Sequence, residues 1–172
     1  DPLEAAADLW TLSVSPRTGK DSSGSELEHL ERVHRHLESC GLKFHERTVS
    51  SLHTCFKIAE QAPLTVLAGI SGTGKSELPR RYAEGMGMHF LPIAVQPRWD
   101  SPQDLFGFYN YLEKRFRPTE LTRALLQFDR YKEQDGRGWV NYDSEKRENL
   151  KDLKDYMLVT LLDEMNLARV EY

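Results

Sequence analysis

Gly69, Gly74, Lys75 and Ser76 stand at the spacing G-x-x-x-x-G-K-[ST] in the stretch "GISGTGKS", and that spacing suits one kind of chemistry. Glycines let a loop curl with its backbone N–H groups pointing inward. A polyphosphate is then met by amide donors and by the positive end of the helix that follows. In this reading Ile70, Ser71, Gly72 and Thr73 complete the cradle, and Lys75 reaches the β and γ phosphates. The Ser76 hydroxyl holds Mg²⁺, which takes few protein oxygens beside phosphate oxygens and water. The plainer alternative is a Gly-rich turn with a solvent lysine.

The flanks weigh against that alternative. Leu64, Thr65, Val66 and Leu67 predict a short buried strand ahead of the loop, and Glu77 to Glu84 predict a helix ending near Gly85 and Gly87. A second buried strand is expected in "YMLVTLLDEMN", Tyr156 to Asn166, ending on Asp163 and Glu164. Asp163 is assigned to Mg²⁺ and its waters. Glu164 is the candidate catalytic residue, polarising the water that attacks the γ phosphate. As a plain structural feature, the acidic pair would cap the next helix.

A chain of 172 residues with net charge −4 makes about one domain and has no long-range pull toward nucleic acid. No apolar run reaches membrane-spanning length. Cys40 and Cys55 form no metal-type pair and read as buried or idle thiols in a reducing compartment. His29, His34 and His36 share one predicted helix at spacings that converge on no metal, so they read as solvated.

Three regions are expected: a linker or the end of an upstream region at 1–24, a helical lead-in at 25–48, and the nucleotide-binding part at 49–172. The lead-in carries a helix capped at Ser25, with Leu27, Leu30, Val33 and Leu37 on one side and Gly41 as its stop. A second helix is expected from Ser50 or Ser51. Beyond the loop come a strand in "MHFLPIAVQPRW", a helix start at Ser101 and Pro102, a β-hairpin in "FYNYLEKRFRP", an amphipathic helix in "TELTRALLQFDRY", and a charged surface insertion before the acidic strand. Phe108, Tyr109, Tyr111 and Phe116, near Lys114, Arg115 and Arg117, also fit a base-stacking platform. Ordinary hairpin packing is the commoner use of such residues.

Four pieces, "GISGTGKS", "QDLFG", "FRPTELTRAL" and "LLDEMNLARVEY", resemble the AAA+ ATPases over residues 50–172, in the McrB-like and MoxR-like branch with a hairpin inserted in the second helix. The resemblance implies an α/β P-loop NTPase, a parallel sheet flanked by helices, truncated after the acidic (Walker B) strand. It also implies a hexameric ring acting in the cytoplasm on DNA, in bacterial defence, with an McrC-like nuclease partner. ATP is favoured over GTP as the nucleotide. Alternatives are a MoxR-like chaperone that remodels protein or inserts metal, and a non-hydrolysing nucleotide-binding scaffold. Met165 and Leu167 depart from the commoner wording, and Arg169 has no assigned role. Because the first residue is Asp, the sequence is expected to begin inside a longer polypeptide. The family's strand order, 5-1-4-3-2, leaves the loop strand and the acidic strand about 9.5 Å apart, two inter-strand spacings. Residues 1–172 alone are therefore expected to be aggregation-prone and inactive.

Overall fold

The computed structural model describes residues 24–128 and 157–167, which fall into two bodies, 24–88 and 89–167. The expected linker at 1–24, apart from its last residue, the charged insertion and Arg169 lie outside the described residues. The architecture is mixed α/β, with a small two-stranded parallel sheet and flanking helices.

In the first body, α1 (Glu26–Ser39) is started by a capping box. Ser25 Oγ accepts from the Glu28 N–H, and the Glu28 carboxylate accepts from the Ser25 N–H. It stops as the sequence expects: Gly41 is left-handed, its N–H donates to the Glu38 carbonyl, and the Leu42 N–H donates to the Leu37 carbonyl. Val33 and Leu37 are buried and Leu30 partly so, but Leu27 is exposed. The buried stripe is thus narrower than the sequence reading.

Helix α2 spans Glu46–Lys57, starting four residues before Ser50. The unforeseen start has a cause in His45, whose Nδ1 accepts the Arg47 N–H at 3.1 Å, doing with an imidazole what Ser or Asp usually does. Helix α3 (Glu77–Met86) ends on left-handed Gly87. Gly85, expected near the stop, is inside the helix, where a Cβ would come within 3.2 Å of Val33 of α1. Val33, Leu37, Val49, Leu52, Leu78 and Tyr82 form one core.

The strand expected at 64–69 is absent. Residues 62–70 have no regular secondary structure, and Leu64 and Val66 are 79% and 78% exposed. A strand exists only through its ladder, and residues 63–70 make no backbone–backbone hydrogen bond with a described residue. Leu67 alone of this run packs on the core.

In the second body, β1 (His89–Ala94) pairs in parallel with β4 (Leu158–Asp163), His89 opposite Leu158 and Ala94 opposite Asp163. Between them come α4 (Pro102–Phe106), β2 (Gly107–Asn110), β3 (Arg115–Pro118) and α5 (Glu120–Phe128). The hairpin β2–β3 is antiparallel, as expected. Leu91 and Ala124 are the buried centre, packed by Ile93, Leu121 and Leu158. Among the described residues no helix is long and apolar enough to cross a membrane.

Candidate functional site

The loop Gly69–Ser76 lies in the first body and Asp163 and Glu164 in the second. Gly72 and Gly74 have φ of 82° and 83°, the left-handed conformation that glycine alone adopts cheaply. They curl the loop so that the Ile70 carbonyl accepts two donors, Thr73 Oγ1 at 2.9 Å and Lys75 Nζ at 2.6 Å. Lys75 is therefore held over its own loop rather than extended into solvent.

The loop enters α3 directly. Ser76 is the N-cap but makes no side-chain capping bond, and the Leu78 N–H donates back to the Gly74 carbonyl. The early amides of α3 are thus left without the usual side-chain acceptor, an arrangement that suits an anion.

Phe44, which the sequence reading passed over, lies against this loop. A Cβ on Gly74 would meet its ring at 2.8 and 3.0 Å. Phe44 stands just past the α1 stop with nothing local to mark it, and only the folded chain brings it to the loop. Helix α3 is tied to α1 through Glu84. The Glu84 carboxylate accepts from Arg81 and pairs with His36 of α1. Burial pushes Glu84 upward, but the bonds from His36 and Arg81 outweigh it and hold it below its ordinary value. His36, expected to be solvated, is thus an interhelical partner.

His53, from α2, joins two neighbours. A carboxylate can only accept, so His53 donates Nε2–H to Glu26 at 3.1 Å, and its Nδ1 shares a hydrogen bond with the Tyr82 hydroxyl. Burial raises the Tyr82 phenol well above its ordinary value, with the Glu26 charge adding to the effect.

In the second body Asp163 closes β4, and its carbonyl accepts from the Val95 N–H at 3.0 Å. Glu164 follows at φ 58°, left-handed for a non-glycine residue. Its N–H donates to Asp163 Oδ1, and its carbonyl accepts from the Leu167 N–H in the short turn Met165–Leu167. Glu164 is exposed in this turn.

The oxygen donors of Ser76 and Asp163 are of the hard kind that Mg²⁺ prefers. Among the described residues no three His, Cys, Asp or Glu side chains gather in a way that could hold a metal ion, and Mg²⁺ on a polyphosphate needs no such group. Cys40 is exposed and Cys55 half-buried, both as free thiols. Comparison of the chain with family models, with curated proteins and with solved structures finds no match.

Proposed function

We propose that the chain binds a nucleoside triphosphate, ATP ahead of GTP, at Gly69–Ser76 and hydrolyses it with Asp163 and Glu164. It would do so as part of a P-loop motor of the AAA+ McrB-like type. The observation that carries this reading is the loop itself. Two left-handed glycines and a lysine folded over the Ile70 carbonyl lead straight into a helix whose first turn has no side-chain cap.

The chemistry follows from these groups. A phosphate arriving at the loop offers Lys75 an anionic acceptor in place of the neutral Ile70 carbonyl, which adds the attraction of opposite charges to the hydrogen bond. The amides of the loop and of early α3 take the remaining phosphate oxygens. Ser76 and Asp163 would hold Mg²⁺, which neutralises charge on the phosphates when bound. Glu164, exposed and ionisable, would orient the attacking water. The parallel pairing of β1 with β4 supports the reading, because adjacent second and third strands are part of the order 5-1-4-3-2. A homo-oligomeric ring in the cytoplasm, an McrC-like nuclease partner and coupling to DNA restriction or remodelling belong to the same proposal.

Phosphate release by the intact protein, with and without DNA, tests it. Turnover that depends on Lys75 and rises with DNA is expected. Stimulation by unfolded polypeptide instead would favour a chaperone, and binding without turnover would favour a scaffold. Unchanged nucleotide affinity in Lys75→Ala would remove the loop from consideration.

A further inference from the structure

The hairpin β2–β3 carries more exposed apolar and cationic surface than its packing explains. Leu112 is 96% exposed and Tyr111 83%, both in the turn, and Phe108, next to the base, is 51% exposed. The register sorts the side chains. Phe108 stands opposite Arg117 and Asn110 opposite Arg115, so these four share one face, while Tyr109 and Phe116 share the other.

The arrangement is built rather than loose. The Asn110 side chain accepts the N–H groups of Leu112 and Glu113, fixing the turn. Tyr109 and Tyr111 meet edge to face with centroids 5.2 Å apart. Glu113 accepts from Arg115 Nε and from Arg117 Nε and Nη2, which keeps both guanidiniums on the Phe108 face. Only Nε of Arg115 is used in this pairing, and its side chain is 52% exposed. At the base, Gly107 is left-handed, and a Cβ there would collide with the Arg117 carbonyl. Thr119 Oγ1 donates to the Leu105 carbonyl, anchoring the far side of the hairpin to α4.

We infer that this hairpin is a contact site for single-stranded nucleic acid. Phe108, on the arginine face, and Tyr111, at the turn beside Tyr109, would stack on successive bases of a strand that passes round the turn, and Lys114, Arg115 and Arg117 would meet phosphates. Charge complementarity favours this occupant. Three cations stand against one carboxylate within five residues of a chain that is acidic overall, and rings interleaved with cations are what base stacking on a charged backbone needs. As the point where nucleotide turnover reaches its substrate, the site rests on the function proposed above. As a binding surface it does not, so the test is made without nucleotide.

The probe is a labelled thymidine 20-mer, added to intact protein that carries a photo-crosslinking p-benzoylphenylalanine in place of Leu112. Crosslinking to the oligonucleotide is expected, with competition by unlabelled single strands ahead of duplex. In parallel, Tyr111→Ala should weaken binding by ~10-fold, since stacking on one aromatic ring is worth ~1–3 kcal/mol. Arg115→Ala with Arg117→Ala should flatten the dependence of log affinity on log salt by roughly 1.4, for two phosphate contacts on a single strand. Nucleotide affinity at the loop should stay as in the parent protein, so loss of one property is told from loss of the other. Should the double arginine variant misfold, Tyr111→Ala and the crosslink decide by themselves. Crosslinks confined to added unfolded polypeptide, or oligonucleotide binding indifferent to Tyr111, would overturn the assignment.

Discussion

Gly74→Ala is the substitution whose cost the structure defines most closely. Gly74 has φ 83°, and a non-glycine residue forced into that region loses ~1–2 kcal/mol. The new methyl would also lie 2.8 Å from Phe44 Cζ and 3.0 Å from Cε1. Restoring an ordinary carbon–carbon contact of about 3.5 Å requires the ring to move by ~0.7 Å. Phe44 is half-buried and packed on the Val33–Tyr82 core, so that movement should cost a further ~1–3 kcal/mol. Gly72→Ala is the internal control, because Gly72 has φ 82° but open space around its missing Cβ. With a urea slope near ~2 kcal/mol/M, Gly74→Ala should lower the unfolding midpoint by roughly 1.7 M and Gly72→Ala by roughly 0.7 M. The assay is urea unfolding followed by circular dichroism, for the two variants, Phe44→Ala and Phe44→Ala combined with Gly74→Ala. In the double variant the steric part of the Gly74→Ala cost should vanish, leaving only the backbone part. Equal midpoints for Gly72→Ala and Gly74→Ala, or a Gly74→Ala cost unchanged by removal of the Phe44 ring, would refute the contact between Phe44 and the loop.

Lys75→Ala should abolish triphosphate binding measured by calorimetry, since it removes the ammonium held over the loop that would meet the phosphates. Glu164→Gln keeps shape and polarity, so nucleotide affinity should persist while turnover falls by ~10²-fold or more. Equal loss of both would make Glu164 a structural residue. Tyr82→Phe leaves His53 Nδ1 without its hydrogen-bond partner in a buried place and should destabilise by ~1–3 kcal/mol in thermal unfolding. Arg117, then Arg115, hold the Glu113 carboxyl down to about 2 from its ordinary 4.5. A folded value depressed in this way means that the hairpin gains from Glu113 fully above about pH 4.5 and loses that gain as pH falls through about 2. Carboxyl-carbon NMR should follow Glu113 titrating near that lower value, and a midpoint near 4.5 would disprove the pairing.

Much of this was legible in the sequence because it is local. Ser25 and Glu28 start α1, and Gly41 stops it, through hydrogen bonds that span only a few residues. The alternation in "FYNYLEKRFRP" and the apolar run up to Asp163 likewise declared a hairpin and a parallel strand. The curl of the loop is local too, since Gly72 and Gly74 take the left-handed conformation that glycine allows. What the sequence left open depends on partners far along the chain. Leu64 to Leu67 have the composition of a buried strand, yet burial and pairing are supplied by a neighbour, and among the described residues none pairs with them. Helix α2 begins at His45 because an imidazole can accept an N–H, which residue-type preference alone ranks low. The Phe44 ring on Gly74, the Tyr82–His53–Glu26 chain and the His36–Glu84 pair join residues 27 to 48 positions apart. Local periodicity carries no information about such contacts; they arise only when α1, α2 and α3 close on one core.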